Sequence, residues 1–259
     1  MLVIAERINA TRKRISKAVV ARDADFIARE ARMQAEAGAT HIDCNAGRKP
    51  DREIEDLKWM ISVVQDAVEL PISIDSANPD AIAEGLKLVN KQPIINSVNA
   101  EKDRIATIMP MAKEHNTLLV ALCMGDGGMP TCKEDRTKAA DQLRDAAAEH
   151  GVPLSSLYFD PIIVPVSTNA AEARAALETV RYIMTEFDGA HTTCGLSNIS
   201  FGLPKRNTLN RTYLAMLMEA GLDGAIMDPV EPHMMSTVLA GCALLGRDEW
   251  CMNLSLIHI

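Results

Sequence analysis

The chain has 259 residues, of which 47% are hydrophobic, and it carries a formal net charge of −8. This length and composition suit one large soluble globular domain, and no apolar run is long enough to span a bilayer. The acidic balance argues against nucleic acid as a partner, because nucleic-acid binding needs a basic surface.

The cysteines and the N-terminal sequence indicate a cytoplasmic protein. The six cysteines are scattered without a C-x-x-C pair, which favours a reducing compartment and argues against a disulfide framework and a zinc site. The opening MLVIAERINATRKR has its apolar residues before its charges, the reverse of a signal peptide. We expect a single domain over residues 1–259, in which 253–259 form a disordered or non-native tail.

Short apolar runs alternate with longer amphipathic runs along the chain. The short runs predict strands at 2–8, 40–45, 71–76, 92–97, 117–124, 156–161, 191–197 and 224–229. The longer runs predict helices at 23–38, 51–68, 78–89, 101–115, 134–150, 170–187, 208–220 and 232–245. Continuous apolar runs are typical of buried parallel strands. Eight strand–helix units in about 250 residues favour an α/β fold of the (β/α)8 TIM-barrel type over a doubly wound sheet, which usually has five or six strands.

Polar residues collect at the C-terminal ends of the predicted strands, where TIM barrels place their active sites. In chain order these are Glu6, Arg7, Asn9, Asp43, Asn45, Asp75, Ser76, Asn96, Ser97, Asn99, Met124, Gly125, Asp126, Asp160, Ser197, Asn198 and Asp228. Capping of the next helix is the simpler explanation for Asp51 and Asn78. A functional role is predicted for the residues that lie beside a strand end rather than a helix start, namely Asp75, Asn96, Asp160 and Asn198.

Three further residues of this set have two open interpretations. Asp43 and Asn45 suit a structural or a functional role equally well. Glu6 could instead pair with Arg7 or with another residue of the barrel.

The candidate set is rich in carboxylates and amides and poor in histidine. None of the six histidines lies in a cluster, and no Ser–His–Asp or Cys–His pair is visible, so we predict no catalytic metal and no nucleophilic triad. The glycine-rich GDGG at 125–128 is better explained as a flexible loop than as a phosphate site. A carboxylate accepts two adjacent N–H donors, and an amide offers both a donor and an acceptor. Such groups match the edge of a flat, nitrogen-rich heterocycle such as a pterin.

Seven short motifs resemble those of one known family. They are LVIAERIN, IDCNAG, SIDSAN, IINSVNAE, LYFDPIIVP, GLSNISFG and the NR of LNRTYLAM, and they occur in order from residue 2 to about residue 228. Together they resemble the pterin-binding methyltransferases, above all the methyltetrahydrofolate:corrinoid protein methyltransferases. The folate-binding module of cobalamin-dependent methionine synthase is related. FGLPK at 201–205 and DCNAG in place of DLNVG depart from the expected pattern.

The resemblance implies a TIM barrel, usually a homodimer, that binds tetrahydrofolate or 5-methyltetrahydrofolate. The pterin-binding carboxylates and amide of the family match Asp75, Asn96 and Asp160. Its catalytic asparagine, in the G-L-S-N motif, matches Asn198, and the arginine after that loop matches Arg206. We also assign substrate binding to neighbouring residues of the strand ends, namely Glu6, Asp43, Asn45, Met124, Gly195 and Ser197.

The activity implied is methyl transfer between N5 of tetrahydrofolate and the cobalt of a corrinoid. A donor aimed at N5 would stabilise the charge that develops on this poor leaving group, and Asn198 is the predicted donor. Since no D-x-H-x-x-G corrinoid motif is present, the cobalamin must arrive on a partner corrinoid protein. Lys205 and Arg211 could meet the folate tail, meet that partner or face solvent.

Two alternatives remain open at this stage. A dihydropteroate synthase-like enzyme shares the pterin pocket, but it would show an N-x-T-P-D-S-F-like first loop, where this chain has ERINATRKR. A non-catalytic folate-binding module would tolerate the loss of Asn198. The direction of methyl transfer also stays open between O-demethylation and carbon fixation in anaerobes.

Overall fold

Eight parallel strands form the centre of the fold. In the computed structural model, which describes residues 1–47 and 51–255, they are β1 (Leu2–Ala5), β2 (His41–Cys44), β3 (Ile72–Asp75), β4 (Ile94–Asn99), β5 (Leu118–Leu122), β6 (Leu157–Asp160), β7 (His191–Thr192) and β8 (Gly224–Met227). The strands pair in the order β7-β6-β5-β4-β3-β2-β1-β8, all parallel. A parallel bridge between Gly195 and Ile226 joins the two outer edges. The predicted TIM barrel is confirmed.

Helices connect the strands and surround them. They are α1 (Lys13–Ala21), α2 (Ala24–Glu36), α3 (Glu53–Ala67), α4 (Pro79–Leu86), α5 (Lys102–Glu114), α6 (Lys133–Glu149), α7 (Ala170–Glu186), α8 (Arg206–Ala220), α9 (Met234–Leu244) and α10 (Met252–Ser255). Two helix starts follow the predicted signals. The side chain of Asp23 accepts a hydrogen bond from the Phe26 N–H, and that of Asn78 accepts one from the Asp80 N–H, so both residues cap their helices.

Two other helix starts differ from the prediction. Helix α3 begins at Glu53, after an Arg52 that makes no side-chain capping bond, so Asp51 is not the cap that we predicted. Helix α1 was not predicted, because the residue before it, Arg12, is not a capping residue type. The buried Ile15, Ala18 and Val19 of α1 have helical spacing and are the signal that could have revealed it.

Strand β7 is much shorter than the predicted 191–197. The backbone stays in the sheet through Thr193, whose N–H bonds to the Phe159 carbonyl at 2.9 Å. The Gly195 N–H then bonds to a side chain, the Asp160 carboxylate, at 3.3 Å. On its other edge the strand still pairs with β8, where the Ile226 N–H donates to the Cys194 carbonyl at 2.8 Å and Gly195 bridges to Ile226, and after Gly195 the chain leaves the sheet and Leu196–Ser200 form a 3-10 helix.

The barrel interior and the layer outside the sheet have separate apolar clusters. Inside, the fully buried Ile4, Ile94 and Val120 pack with Leu2, Leu118, Leu122 and Ile226. Larger clusters between sheet and helices bury side chains on the opposite face of the same strands, such as Val3, Ile95 and Leu119. This burial on both faces explains why the strand sequences are continuously apolar at their centres.

The C-terminal region differs from the expected tail. Residues 253–255 belong to α10, and the Asp248 carboxylate accepts hydrogen bonds from the Asn253 and Leu254 N–H groups at 3.1 and 3.0 Å. The rest of the expected tail, 256–259, lies outside the described residues. Within residues 1–47 and 51–255, no helix has both the length and the apolar character needed to cross a membrane.

Candidate active site

The interior of the barrel becomes polar at its C-terminal mouth. Side chains alternate between the two faces of a strand, so residues two positions apart share a face. Glu6 and Asn96 therefore follow Ile4 and Ile94 into the interior. Residues paired across a parallel sheet also share a face, and the register pairs Asp75 with Asn96 and Asp160 with Leu122. Strand alternation thus points Glu6, Asp75, Asn96 and Asp160 toward the interior at the C-terminal end of the barrel.

Three strands contribute a hydrogen-bonded group of two carboxylates and two amides. The Asn45 Nδ2 donates to Asp75 Oδ2 at 2.8 Å. The Ser73 Oγ donates to Asp43 Oδ1 at 2.6 Å, and the Asn96 Nδ2 reaches the same oxygen at 3.4 Å. Asp43 is buried beneath Asp75, so it holds Asn96 from below while Asp75 lies nearer the opening.

The two carboxylates compete for one proton. Burial is the main cause that raises the pKa of Asp43 well above its usual value, and the neighbouring charge of Asp75 raises it further. Burial also raises the pKa of Asp75, but hydrogen bonds from Asn45 and from Asp43 act in the opposite direction. Asp43 is therefore the member that holds a proton more strongly, and Asp75 is the member that ionises first.

Asp160 is a buried carboxylate held by two backbone donors. The Ile162 N–H donates to Oδ1 at 2.7 Å and the Gly195 N–H to Oδ2 at 3.3 Å. Burial raises the pKa of Asp160 from 3.8 to about 6, although both N–H groups and the charge of Arg136 lower it. Asp160 is thus ionised at neutral pH, and a ligand with N–H donors would stabilise that charge.

Asn198 lies on the 3-10 helix Leu196–Ser200, which directly follows Gly195. Its side chain is exposed and makes no hydrogen bond to any other described residue. A Cβ atom on Gly195 would lie 2.9 Å from the Asn198 Nδ2, so the glycine provides the space that the amide occupies. The Asn198 amide therefore packs against Gly195, whose own N–H bonds to the Asp160 carboxylate.

Glu6, Ser197 and Arg206 brace this loop from the other side. The Ser197 Oγ donates to Glu6 Oε1 at 2.8 Å, and the Arg206 Nη2 donates to the Ser197 carbonyl at 2.7 Å. Burial raises the pKa of Glu6, partly offset by hydrogen bonds from Ser197 and Arg12. Glu6 pairs with Arg12 at 2.9 Å, whereas Arg7 pairs with Glu30 and Asp228, so the suggested Glu6–Arg7 pair is wrong.

The predicted site residues line more than one cavity. Asp75 and Asn96 line a cavity of about 290 Å³ between the ends of β3 and β4. Glu6, Ser197 and Arg206 line another of about 320 Å³. Met124 lines a third cavity of about 340 Å³ beside the loop 125–128 and is not brought together with the rest. Among the residues that the structure describes, no cluster of histidine, cysteine and acidic side chains could hold a metal ion.

Comparison with known proteins decides the family. The family described as pterin binding enzyme matches residues 5–228, which include all of the mouth. The chain belongs to the pterin-binding enzymes. The resemblance seen in the sequence motifs is confirmed.

Two relatives share much of the sequence of this pterin-binding enzyme. It is 35% identical to the methylcorrinoid:tetrahydrofolate methyltransferase of Eubacterium limosum over 98% of this chain and 95% of that one. It is 32% identical to the methionine synthase of Mycobacterium tuberculosis, over 88% of this chain. The match spans only 20% of the methionine synthase.

Solved structures of other pterin-binding enzymes share the fold. The dihydropteroate synthase of Yersinia pestis has a TM-score of 0.73 at 13% identity and covers 95% of this chain and 93% of its own. That of Thermus thermophilus has a TM-score of 0.68 at 19% identity, covering 92% and 93%. At these identities the likeness concerns the barrel alone.

One residue of the pterin-binding enzyme's mouth escaped the sequence analysis. The guanidinium of Arg104 donates to the Ser97 carbonyl at 2.6 Å and to the Ser76 and Ala77 carbonyls at 3.1 and 2.8 Å, and it lines the cavity of Asp75. It therefore ties the ends of β3 and β4 together. Its signal in the sequence is a cation in the first turn of α5, where the helix dipole favours acids.

The raised carboxyl pKa values predict an unusual pH dependence of stability. A carboxyl whose pKa is higher in the folded than in the unfolded state contributes stability below the unfolded pKa, and this is lost as pH rises through the folded pKa. For Asp160 the window runs from 3.8 to about 6 and is worth about 3 kcal/mol. Glu6 and the Asp43–Asp75 pair act in the same direction. His41, with its pKa lowered to about 4 by burial, opposes them.

We therefore expect a ligand-free His41→Gln variant, from which the opposing group is removed, to melt at a lower temperature at pH 7.5 than at pH 5.5. Calorimetry at the two pH values, at constant ionic strength, measures the difference. A melting temperature that rises between them would contradict the pKa assignments.

Proposed function

We propose that this pterin-binding enzyme is a methyltransferase that moves a methyl group between N5 of tetrahydrofolate and the cobalt of a corrinoid held by a separate protein. The observation that carries the proposal is the match to the Eubacterium limosum enzyme over nearly the full length of both chains. The mouth of the barrel supplies side chains that suit this chemistry.

The pterin would be held by its nitrogen-rich edge. The ionised carboxylates of Asp75 and Asp160 accept hydrogen bonds from ring and amino N–H groups, and the Asn96 amide offers a donor and an acceptor to the neighbouring carbonyl and ring nitrogen. Asp43, with its proton, holds Asn96 in place. We assign Asn45 to the orientation of Asp75, since its amide donates to that carboxylate.

The methyl transfer breaks the N5–C bond and forms a Co–C bond: the electron pair of Co(I) goes to carbon, the pair of the N5–C bond stays on nitrogen, and a proton from solvent ends on N5. Charge develops on N5, which is a poor leaving group without a donor. The Asn198 amide carries N–H groups that do not titrate near neutral pH, and its side chain is free. We assign it the role of hydrogen-bond donor to N5. In the reverse direction the lone pair of N5 attacks the methyl carbon and the N5–H proton passes to solvent, and the Asn198 amide oxygen can accept from N5–H and orient it.

The corrinoid protein would dock over the mouth, because the exposed Asn198 places the reacting nitrogen near solvent. Arg206 braces the loop through Ser197, and we propose that it also faces the folate tail. Arg211 already pairs with Glu231 at 2.7 Å, which makes it a less suitable tail ligand than Arg206. Lys205 is exposed, as the interpretation that it faces solvent predicts.

We also propose a domain organisation, an oligomeric state and a physiological role for the protein. We propose that residues 1–259 form one domain, that the protein is a homodimer, and that it works in the cytoplasm of an anaerobe in O-demethylation. The six free cysteines support a reducing compartment. Light scattering on the purified protein tests the dimer.

The proposed activity is tested by mixing the protein with methylcobalamin and tetrahydrofolate without oxygen. We expect mass spectrometry to detect 5-methyltetrahydrofolate and the absorbance spectrum to show that methylcobalamin has lost its methyl group. Folate binding without transfer to or from either free or protein-bound corrinoid would instead support a storage module. Formation of dihydropteroate from a pterin diphosphate and p-aminobenzoate would support a dihydropteroate synthase-like enzyme.

Replacing Gly195 by alanine tests the position of the donor amide without removing it. The new Cβ would lie 2.9 Å from the Asn198 Nδ2 and would push the amide aside. Because a displacement of ~1 Å can cost on the order of 10²-fold in rate, we expect kcat to fall roughly tenfold or more. The melting temperature should change little, since only a side-chain end must move.

Gly127→Ala is the matched control, because no atom lies within 4 Å of a Cβ at that position. Equal kinetics for the two variants would contradict the placement of Asn198 at N5.

A further inference from the structure

A fully buried arginine lies behind Asp160 and contacts three elements. Arg136 of α6 is 0% exposed, and its guanidinium donates to the Cys132 carbonyl at 2.9 Å and to the Glu172 carboxylate at 2.6 Å. It also donates to the Pro161 and Ile162 carbonyls at 2.6 and 3.3 Å. Every one of its three nitrogens is therefore engaged, and the planar fork of the guanidinium sets the relative positions of its partners.

The ion pair between Arg136 and Glu172 is not explained by stability alone. Glu172 lies in the first turn of α7 and is 5% exposed. A buried pair loses hydration on both charges, so apolar replacements of similar volume often stabilise a protein equally well. Retention of such a pair next to a functional carboxylate calls for a second role.

The backbone beside Asp160 is in an unfavourable conformation. Ile162 has a φ of +58°, in the left-handed region that β-branched residues rarely adopt. Its N–H donates to Asp160 Oδ1 at 2.7 Å, and its carbonyl accepts from Arg136. The segment is thus held between the carboxylate on one side and the arginine on the other, and strained residues held in this way cluster at functional sites.

We propose that Arg136 and Glu172 are positioning residues that lock the 161–162 backbone and thereby fix the Asp160 carboxylate for the pterin. The inference rests on the proposed function, because it takes Asp160 as a ligand of the pterin. Release of the segment would free the Ile162 N–H to turn away, and Asp160 would lose the shorter of its two backbone donors.

The charge of Arg136 acts on Asp160 in addition to its contacts. It lowers the pKa of Asp160, against the larger effect of burial. The other titratable groups beside Asp160 are the buried thiols of Cys123 and Cys194, whose own pKa values are raised mainly by burial and further by the Asp160 charge. Since these thiols are neutral near pH 7, Arg136 is the charged side chain that tunes this carboxyl.

Two variants separate geometry from charge. Arg136→Lys keeps the charge but cannot reproduce the fork, so we expect the Kd for tetrahydrofolate to rise roughly tenfold. The pH at which folate binding is lost on acidification should stay unchanged in this variant. The double variant R136M/E172M leaves no lone buried charge, which favours its folding. It should show the same loss of affinity, with the pH limit moved to higher values.

The measurement is calorimetric titration of tetrahydrofolate between pH 5 and 8, which needs no corrinoid. Arg144→Met is the matched control, since Arg144 lies on the same helix in a partly exposed pair with Asp141. The inference would be overturned if both folded variants bound folate with the wild-type Kd and lost binding at the wild-type pH on acidification. The Arg136–Glu172 pair would then serve only the structure. If the double variant does not fold, the Kd of Arg136→Lys alone is the test: a roughly tenfold rise supports the positioning role, and an unchanged Kd contradicts it. Absence of folate binding by the unmodified protein would instead count against the proposed function.

Discussion

Replacing Asn198 by alanine is expected to lower kcat for methyl transfer by roughly 10²- to 10³-fold, the loss measured when one preorganised donor is removed from a site of developing charge. The affinity for tetrahydrofolate should stay close to that of the unmodified protein. The reason is that N5 carries its extra charge only in the transition state, so a donor aimed at it contributes little to ground-state binding. Stopped-flow absorbance of the cobalamin gives kcat, and calorimetric titration gives Kd.

Asn198→Asp is the more demanding version of this test. Aspartate keeps the shape of the side chain but has no N–H at neutral pH. We expect it to be as slow as alanine, and a rate that recovers at low pH, where the carboxyl carries a proton, would identify hydrogen-bond donation as the lost contribution. Asn207→Ala is the control, because Asn207 lies on the first turn of α8, lines the cavity of Glu6 and is exposed. Equal losses in kcat and in affinity on replacing Asn198 would assign that residue to binding instead.

Replacing Asp75 by alanine should give the opposite pattern. Truncating one partner of a buried, charged hydrogen-bonded pair costs about 2–5 kcal/mol, so the Kd for tetrahydrofolate should rise roughly 10²- to 10³-fold. At saturating folate kcat should fall much less. The protein itself should be at least as stable at pH 7.5, because burial raises the pKa of both Asp75 and its neighbour Asp43 and the variant removes one of the two competing carboxyls.

Asp126→Asn is the control for Asp75, since Asp126 is exposed on the loop beside the separate Met124 cavity. Calorimetry of folate binding and thermal melting of the same samples provide both readouts. Loss of folate binding together with loss of stability would show that Asp75 serves the fold rather than the ligand.

The barrel was predictable from the sequence because its signals are local. Strand β4 is apolar on both faces at its start, and Asn96 then appears on the interior face where the strand meets solvent. The same alternation identifies Asp75 and Asp160. Each of these residues is placed by its own strand, so no knowledge of distant contacts is needed.

The parts that were missed depend on contacts between distant segments. The 3-10 helix that carries Asn198 directly follows Gly195, whose N–H bonds to the side chain of Asp160, 35 residues away in sequence. Arginine is usually exposed to solvent, so the sequence alone does not predict the positions of Arg104 and Arg136. Their guanidinium groups are held by backbone carbonyls of distant loops. Met124 follows the C-terminal end of β5, where a site residue is expected, but it lines a separate cavity beside the loop 125–128.

The most direct test of the account is a crystal structure of the protein with 5-methyltetrahydrofolate. We expect a pterin whose amino-pyrimidine edge meets Asp75, Asn96 and Asp160, with N5 about 3 Å from the Asn198 Nδ2 and the methyl group open to solvent. A pterin bound in the cavity beside Met124, or one with N5 turned away from Asn198, would contradict it.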